Sequence, residues 1–170
     1  IPGNVVPVIG WLRDMKAGKD VSLGHVAVVG GGNTAMDAAR AALRAGAKSS
    51  TLVYRRTKKY MPADAEELEM AIADGVEFLE LVAPVEQKDG KLVCNQMKLG
   101  EPDASGRRSP VATGETFEIP CDLVISAIGE KVDAKLMAEN GIEMGRKGPA
   151  FQTNVDGVWC AGDAHRGPAT

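Results

Sequence analysis

The feature that most restricts this chain is a run of three glycines, Gly30, Gly31 and Gly32, set between two contrasting apolar patterns. Before it stands His25-Val26-Ala27-Val28-Val29, short and β-branched. An unbroken apolar run of this kind predicts a strand buried on both faces, as strands of a parallel sheet are. After it, Asn33 to Ala45 places Ala35, Ala38, Ala39 and Ala42 at helical spacing, and Gly46 stands where a left-handed C-terminal cap belongs. Ser50-Thr51-Leu52-Val53-Tyr54 then supplies a second β-branched strand, so the stretch predicts one βαβ unit.

Pro62 suits a helix start, Ala65, Leu68 and Ile72 share a helical face, and Gly75 would stop that helix. Val76-Glu77-Phe78-Leu79 predicts a third strand. From Val82 to Ile119 the pattern changes: Lys88-Asp89-Gly90 reads as a hairpin turn and Glu101 to Gly114 as a polar loop, together a small antiparallel excursion. Asp122 to Gly129 restores a buried strand. The predicted class is therefore α/β: a Rossmann-like parallel sheet with helices and a small antiparallel β excursion. Ile1 to Gly24, rich in Pro and Gly around one amphipathic piece from Val8 to Met15, reads as a connector.

Composition narrows the function classes. Aromatics are only 4% of the chain, so the core must be built from Ala, Val, Ile and Leu, which suits helices packed closely on a sheet. A net charge of -3 provides no basic surface for a phosphate backbone, which argues against nucleic acid. No stretch is long enough to span a membrane. Cys94, Cys121 and Cys160 lack the C-x-x-C spacing of a metal site or redox dithiol and are expected to be buried, inert thiols, with the cytoplasm as compartment. Ile1-Pro2-Gly3 has no signal-peptide pattern, and the expectation is a chain cut from something longer.

The glycines fit G-x-G-x-x-A between a strand and a helix, the dinucleotide fingerprint. Gly30 permits the tight turn, Gly32 lets the backbone approach a pyrophosphate, and Ala35 allows close helix packing. Free amides at the helix start, around Gly31, Asn33 and Thr34, would face the anion. Two other readings stand at this point: a ligand-free glycine turn, and the loop of an S-adenosylmethionine-dependent methyltransferase. The latter calls for an acid at the end of the second strand, as NAD-preferring domains also do about 20 residues past the glycines. Here that strand ends in Tyr54-Arg55-Arg56-Thr57-Lys58-Lys59. Guanidinium forks bind phosphate through two bonds at once, so Arg55 and Arg56 point to a 2′-phosphate and NADP(H), with Lys58 and Lys59 as weaker candidates. The bland reading of the same residues is a solvated basic loop.

The stretch VVGGGNTAMDAARAALRAGA, followed by LVYRRTKKYMPA, resembles the small-subunit family of glutamate synthase, NADPH-dependent flavoprotein oxidoreductases, and the similar module of dihydropyrimidine dehydrogenase. The resemblance implies a fragment of a flavoprotein with two dinucleotide-binding domains, the NADPH domain inserted into a discontinuous FAD domain. Residues 1–24 would be the connector from the FAD domain, 25–148 the NADP(H)-binding domain, and 149–170 the start of the returning FAD segment. In that segment Val155 to Asp163 looks like the family's flavin-binding piece, with Gly162 and Asp163 as its Gly-Asp pair. Ser126-Ala127-Ile128-Gly129-Glu130 resembles the family's segment beside the bound nucleotide, which implicates Ala127 and Gly129.

The resemblance further implies NADPH as cofactor, FAD in the parent protein, and hydride passing onward to iron–sulfur centres, an iron–sulfur domain or a large partner subunit. The chain has no earlier glycine loop for FAD and no cysteine cluster, so its flavin site is expected to be incomplete and the fragment to lack turnover of its own. A non-catalytic NAD(P)-sensing module is the rival expectation, which the Gly-Asp segment argues against. No general acid or base is assigned, since such cofactors perform the chemistry themselves. His25 and His165 are expected to be structural, Glu66, Glu67 and Glu69 to be solvated first-turn carboxylates, and Asp37 is undecided between nucleotide and water.

Overall fold

The computed structural model describes residues 1–19, 23–102, 104, 106, 108–129, 133–143 and 151–162. Two compact units emerge, Ile1–Ile128 and Gly129–Thr170. The first opens with β1 (Val5–Pro7) and α1 (Val8–Lys16), then β2 (His25–Val29), α2 (Asn33–Arg44), β3 (Ser49–Tyr54), α3 (Ala65–Ala73) and β4 (Glu77–Glu80). It continues through β5 (Val82–Lys88), β6 (Lys91–Pro102) and β7 (Arg108–Pro120) to β8 (Leu123–Ser126).

Five parallel strands form one sheet in the order β1-β8-β2-β3-β4. Side chains alternate across it, and the two faces of β2 bury into different partners. Val26 and Val28 enter the layer made by α1, α2 and α3, with Trp11, Ala35, Ala38, Ala39, Ala42, Leu68 and Ala71. Ala27 and Val29 enter a second layer with Val53, Val82, Leu92, Cys94, Cys121 and Val124. That layer is roofed by the antiparallel sheet β5-β6-β7, so the apolar run of β2 is covered on both sides.

The alanine stripe of α2 is fully buried, which is what lets that helix lie tight on the strands. Gly46 and Gly75 close α2 and α3 at positive φ, +96° and +99°. The hairpin turn falls where the sequence places it: Asp89 and Gly90 both have positive φ, 53° and 72°, between the paired Lys88 and Lys91. Leu81, at φ 57°, is where the chain leaves the parallel sheet for the antiparallel one.

Several expectations change. The polar loop read over Glu101 to Gly114 is mostly strand: β6 runs to Pro102 and β7 begins at Arg108, pairing Pro102 with Arg108. Its polarity reflects solvent on the outer edge, where β7 is exposed along most of its length. The buried face of α3 is Leu68 and Ala71, whereas Ile72 is 46% exposed. Within the stretch read as connector, Val5–Pro7 pairs in parallel with Val124–Ser126, and α1 buries Val8 and Trp11 against the sheet. Cys94 and Cys121 are buried, while Cys160 is only partly so.

The second unit contains α4 (Ala134–Glu139), capped by the Asp133 carboxylate on the amides of Lys135 and Leu136. It also holds a small turn in which Gln152 bridges Trp159 and the Thr153 hydroxyl donates to the Val158 carbonyl. Among the described residues no helix is long and apolar enough to cross a membrane.

Candidate functional site

In a parallel sheet all carboxyl ends of the strands lie along one edge. Here that edge collects Gly30–Gly32 after β2, Arg55 and Arg56 after β3, and Ala127 after β8. From β2 the chain winds outward through β3 and β4, then returns through the antiparallel excursion to β8 on the other side of β2. The strand order therefore reverses between β2 and β8, and such a reversal opens a crevice where ligands of open α/β sheets bind. The glycine turn sits at its mouth.

Each glycine does something different. The Gly30 amide donates to the Val53 carbonyl, and a side chain there would fall on the Ala127 carbonyl. Ala127 is itself tied down by its amide, which donates to the Val29 carbonyl at 2.8 Å. A side chain on Gly31 would run into the Tyr54 ring. Nothing lies within 4 Å of where a Gly32 Cβ would stand.

Gly32 is the N-cap of α2, with φ -95°, and no side chain caps the helix. The first bond into the Gly32 carbonyl comes from Ala35, so the amides of Asn33 and Thr34 precede the ladder and point out of the helix start. Helix geometry thus leaves a cluster of donors, with the positive end of the dipole behind them, facing an open approach. The Asn33 side chain does not share that task. Its Nδ2 donates to Asp64 Oδ2 at 3.1 Å and its Oδ1 accepts from the Asp64 amide at 3.0 Å, which fastens the start of α2 to the start of α3.

The basic turn divides into engaged and unengaged cations. Lys58 lies 3.6 Å from Glu69, and its amide donates to Glu80 at 2.7 Å, so it belongs to a local acidic neighbourhood. Arg55 is exposed and Arg56 half-buried, and among the described residues neither pairs with a carboxylate. The Arg56 Nε is buried without a hydrogen-bond partner. A guanidinium nitrogen withdrawn from water and unpartnered is an energetically unfavourable arrangement. Lys59 is exposed in the short 3₁₀ turn Lys58–Tyr60.

Tyr54 and Asp64 were not singled out from the sequence, yet both shape the loop. Tyr54 is 7% exposed, its ring under Gly31 and its hydroxyl donating to the Tyr60 carbonyl at 2.6 Å. Asp64 could have been found as the N-cap position ahead of Ala65-Glu66-Glu67; Tyr54 carried no signal beyond ending a strand. The remaining assigned residues fall in the second unit: Gly129 and Gly162 adopt positive φ, 104° and 60°, and Asp163, like Glu130 and His165, lies outside the described residues.

These residues fit the phosphates of a dinucleotide, on the open face at Gly32 and the unpartnered Arg56 nitrogen. Among the described residues there is no comparable arrangement for a flavin.

Residues 3–170 match the family described as pyridine nucleotide-disulphide oxidoreductase. The putative oxidoreductase YgfK of Escherichia coli K12 is 45% identical over 98% of this chain and 17% of its own length. The NADP(+)-dependent formate dehydrogenase subunit beta of Moorella thermoacetica is 43% identical over 99% of this chain and 26% of its own. The NADPH glutamate synthase small chain of Azospirillum brasilense is 40% identical over 97% of this chain and 40% of its own. The chain thus spans well under half the length of these relatives. Among solved structures, Mycobacterium tuberculosis FprA in complex with NADPH superposes with a TM-score of 0.71 at 20% identity, covering all of this chain and 55% of that one. That likeness is one of fold.

Proposed function

Because this chain belongs to the pyridine nucleotide-disulphide oxidoreductase family, we propose that it is the NADP(H)-binding domain of an FAD-dependent oxidoreductase resembling the glutamate synthase small chain. The observation that carries the reading is the pairing of an open helix start at Gly32 with Arg55 and Arg56 just past the end of the neighbouring strand, neither paired with a carboxylate among the described residues and the Arg56 Nε buried without a hydrogen-bond partner there. Val29 and Val53 are register partners, so Arg55 stands two residues beyond the last pair, one strand away from the glycine turn. The amides of Gly31, Gly32, Asn33 and Thr34 would take the diphosphate; Arg55 and Arg56 would take the 2′-phosphate.

Bound NADPH supplies a hydride, and the accepting FAD would be held largely by the rest of the parent protein. This chain binds and orients the donor, and it moves no proton. Residues 1–24 would lead in from the FAD domain while adding β1 and α1 to this one, 25–148 would carry NADP(H), and 149–170 would begin the returning FAD segment, with Gly162 and Asp163 toward the flavin and Gly129 beside the nucleotide. Electrons would continue to iron–sulfur centres or a partner subunit, and the fragment alone would show no turnover. Names of relatives that are subunits beta or small chains support a multi-subunit setting.

The test is the double substitution Arg55→Ala with Arg56→Ala. NADPH affinity should fall by roughly 100-fold, as expected for two charge-assisted contacts, with NADH affinity within about two-fold of the starting value. Titration calorimetry with both nucleotides measures it, and equal losses would refute the 2′-phosphate assignment.

A further inference from the structure

The two phosphate groups that the proposed site would bind sit on one adenosine, at a separation set by a rigid ribose. A protein can bind both at full strength only if the helix start and the arginine turn are themselves held at a fixed spacing. Sheet pairing fixes β2 to β3 up to Val29 and Val53, but the turn carrying Arg55 and Arg56 lies past the last pair. Something else must hold it.

Besides the Lys58 contacts to Glu80 and Glu69, three connections tie the segment that follows the arginines to β3, the glycine turn and the start of α2. The Tyr54 hydroxyl donates to the Tyr60 carbonyl at 2.6 Å, folding the turn back over the strand end while the ring lies under Gly31. The Ala63 amide donates to the Gly31 carbonyl at 3.0 Å. Asp64 and Asn33 exchange two hydrogen bonds, joining the two helix starts. Beyond the arginines, the Leu81 amide donates to the Arg56 carbonyl at 3.0 Å. The segment from Arg56 to Asp64 is thus a strap, anchored on the glycine turn and the start of α2 at its far end, on Tyr54 of β3 near its middle, and on Leu81, just past β4, at its near end.

We infer that Tyr54 and Asn33 are positioning residues for 2′-phosphate selectivity, acting by strapping the arginine turn to the glycine loop and touching no nucleotide with their side chains. The inference rests on the NADP(H) reading. A ligand without a 2′-phosphate engages only the glycine end and does not sense the spacing. Loosening the strap therefore weakens the phosphorylated ligand selectively.

The probes are adenosine 2′,5′-bisphosphate and 5′-ADP, titrated calorimetrically into the intact protein and into its Tyr54→Phe and Asn33→Ala variants. Tyr54→Phe is expected to lose about five-fold for the bisphosphate, roughly the worth of one hydrogen bond, Asn33→Ala, which removes two, at least as much, and each under two-fold for ADP. Equal losses for both probes would make Asn33 or Tyr54 a general support or a diphosphate ligand and overturn the inference; so would an unchanged ratio. If Tyr54→Phe fails to fold, Asn33→Ala decides alone, since its backbone amide and its exposed position are retained. An unsubstituted protein that binds the two probes equally well sinks the NADP(H) reading itself, an outcome separate from a failed strap.

Discussion

Three adjacent glycines respond to a methyl group in different ways, because their surroundings differ. At Gly30 a Cβ meets the carbonyl of Ala127, a residue whose amide is held by the Val29 carbonyl. Gly30→Ala should destabilise the fold by about 2–3 kcal/mol, in the range of overpacked core sites, read as a lowered midpoint in urea. Gly32 has an ordinary φ of -95° and open space beside it. Gly32→Ala should leave the urea midpoint within about 0.5 kcal/mol, the range of surface changes, and weaken NADPH by at least about ten-fold, because the methyl occupies the phosphate's approach. Loss of stability with unchanged binding would reverse the assignment of these two positions. The turn was legible in the sequence because glycine number and spacing are local. The tyrosine beneath Gly31 was not, since a ring against a Cα is a contact between strands that no spacing rule encodes.

Elements meet through charges as well as through alanines. Arg40 of α2 donates to Asp74, just past α3, at 2.7 Å, and Arg44 reaches the same carboxylate at 3.0 Å. The Arg40 hydrogen bond holds the Asp74 carboxyl below its usual range, and the charges of both arginines add to the effect. A lowered native value means stability that is present above the unfolded carboxylate range and is lost as pH falls from there through the lowered native value. Asp74→Asn should accordingly lower the thermal midpoint by roughly 1–3 °C at pH 7, as for a surface ion pair in a domain of this size, with the difference shrinking below about pH 4. A difference that does not shrink at all as the pH is taken from 7 into the acid range would assign the effect to packing. At this scale the sequence marked α2, β2, β3 and β4 within a residue or two, and carried β8 three residues past its end at Ser126. It hid β1, whose three residues become a strand only by pairing with β8 far along the chain, and it hid the ends of β6 and β7, whose exposed edge is polar enough to read as loop.

The first unit as a whole is three layers: helices, a parallel sheet, and a small antiparallel sheet. Cys94 and Cys121 lie between the two sheets, and burial pushes both thiols up to about 11, with Cys121 adding to the shift of Cys94. A thiol that ionises less readily in the folded state contributes stability below its unfolded value, near 8.5, and that contribution is lost as pH rises toward about 11. The urea midpoint should therefore fall between about pH 8.5 and 11, and iodoacetamide at pH 8 should leave both thiols unmodified in the native protein while denaturant exposes them. Rapid native labelling of either would mean that the sheets separate. The existence of this second layer was legible from the antiparallel pattern; its position over β2 was not, because composition does not say which face a sheet will cover.

One contact in that architecture reaches further than its size. Ala127 is both the first residue after the last strand and the wall against which the first glycine of the turn is pressed. The peptide by which the polypeptide departs toward its next segment is thus also part of the rim of the crevice. The carbonyl that forbids a side chain on the first glycine is therefore also the first carbonyl of the departing chain.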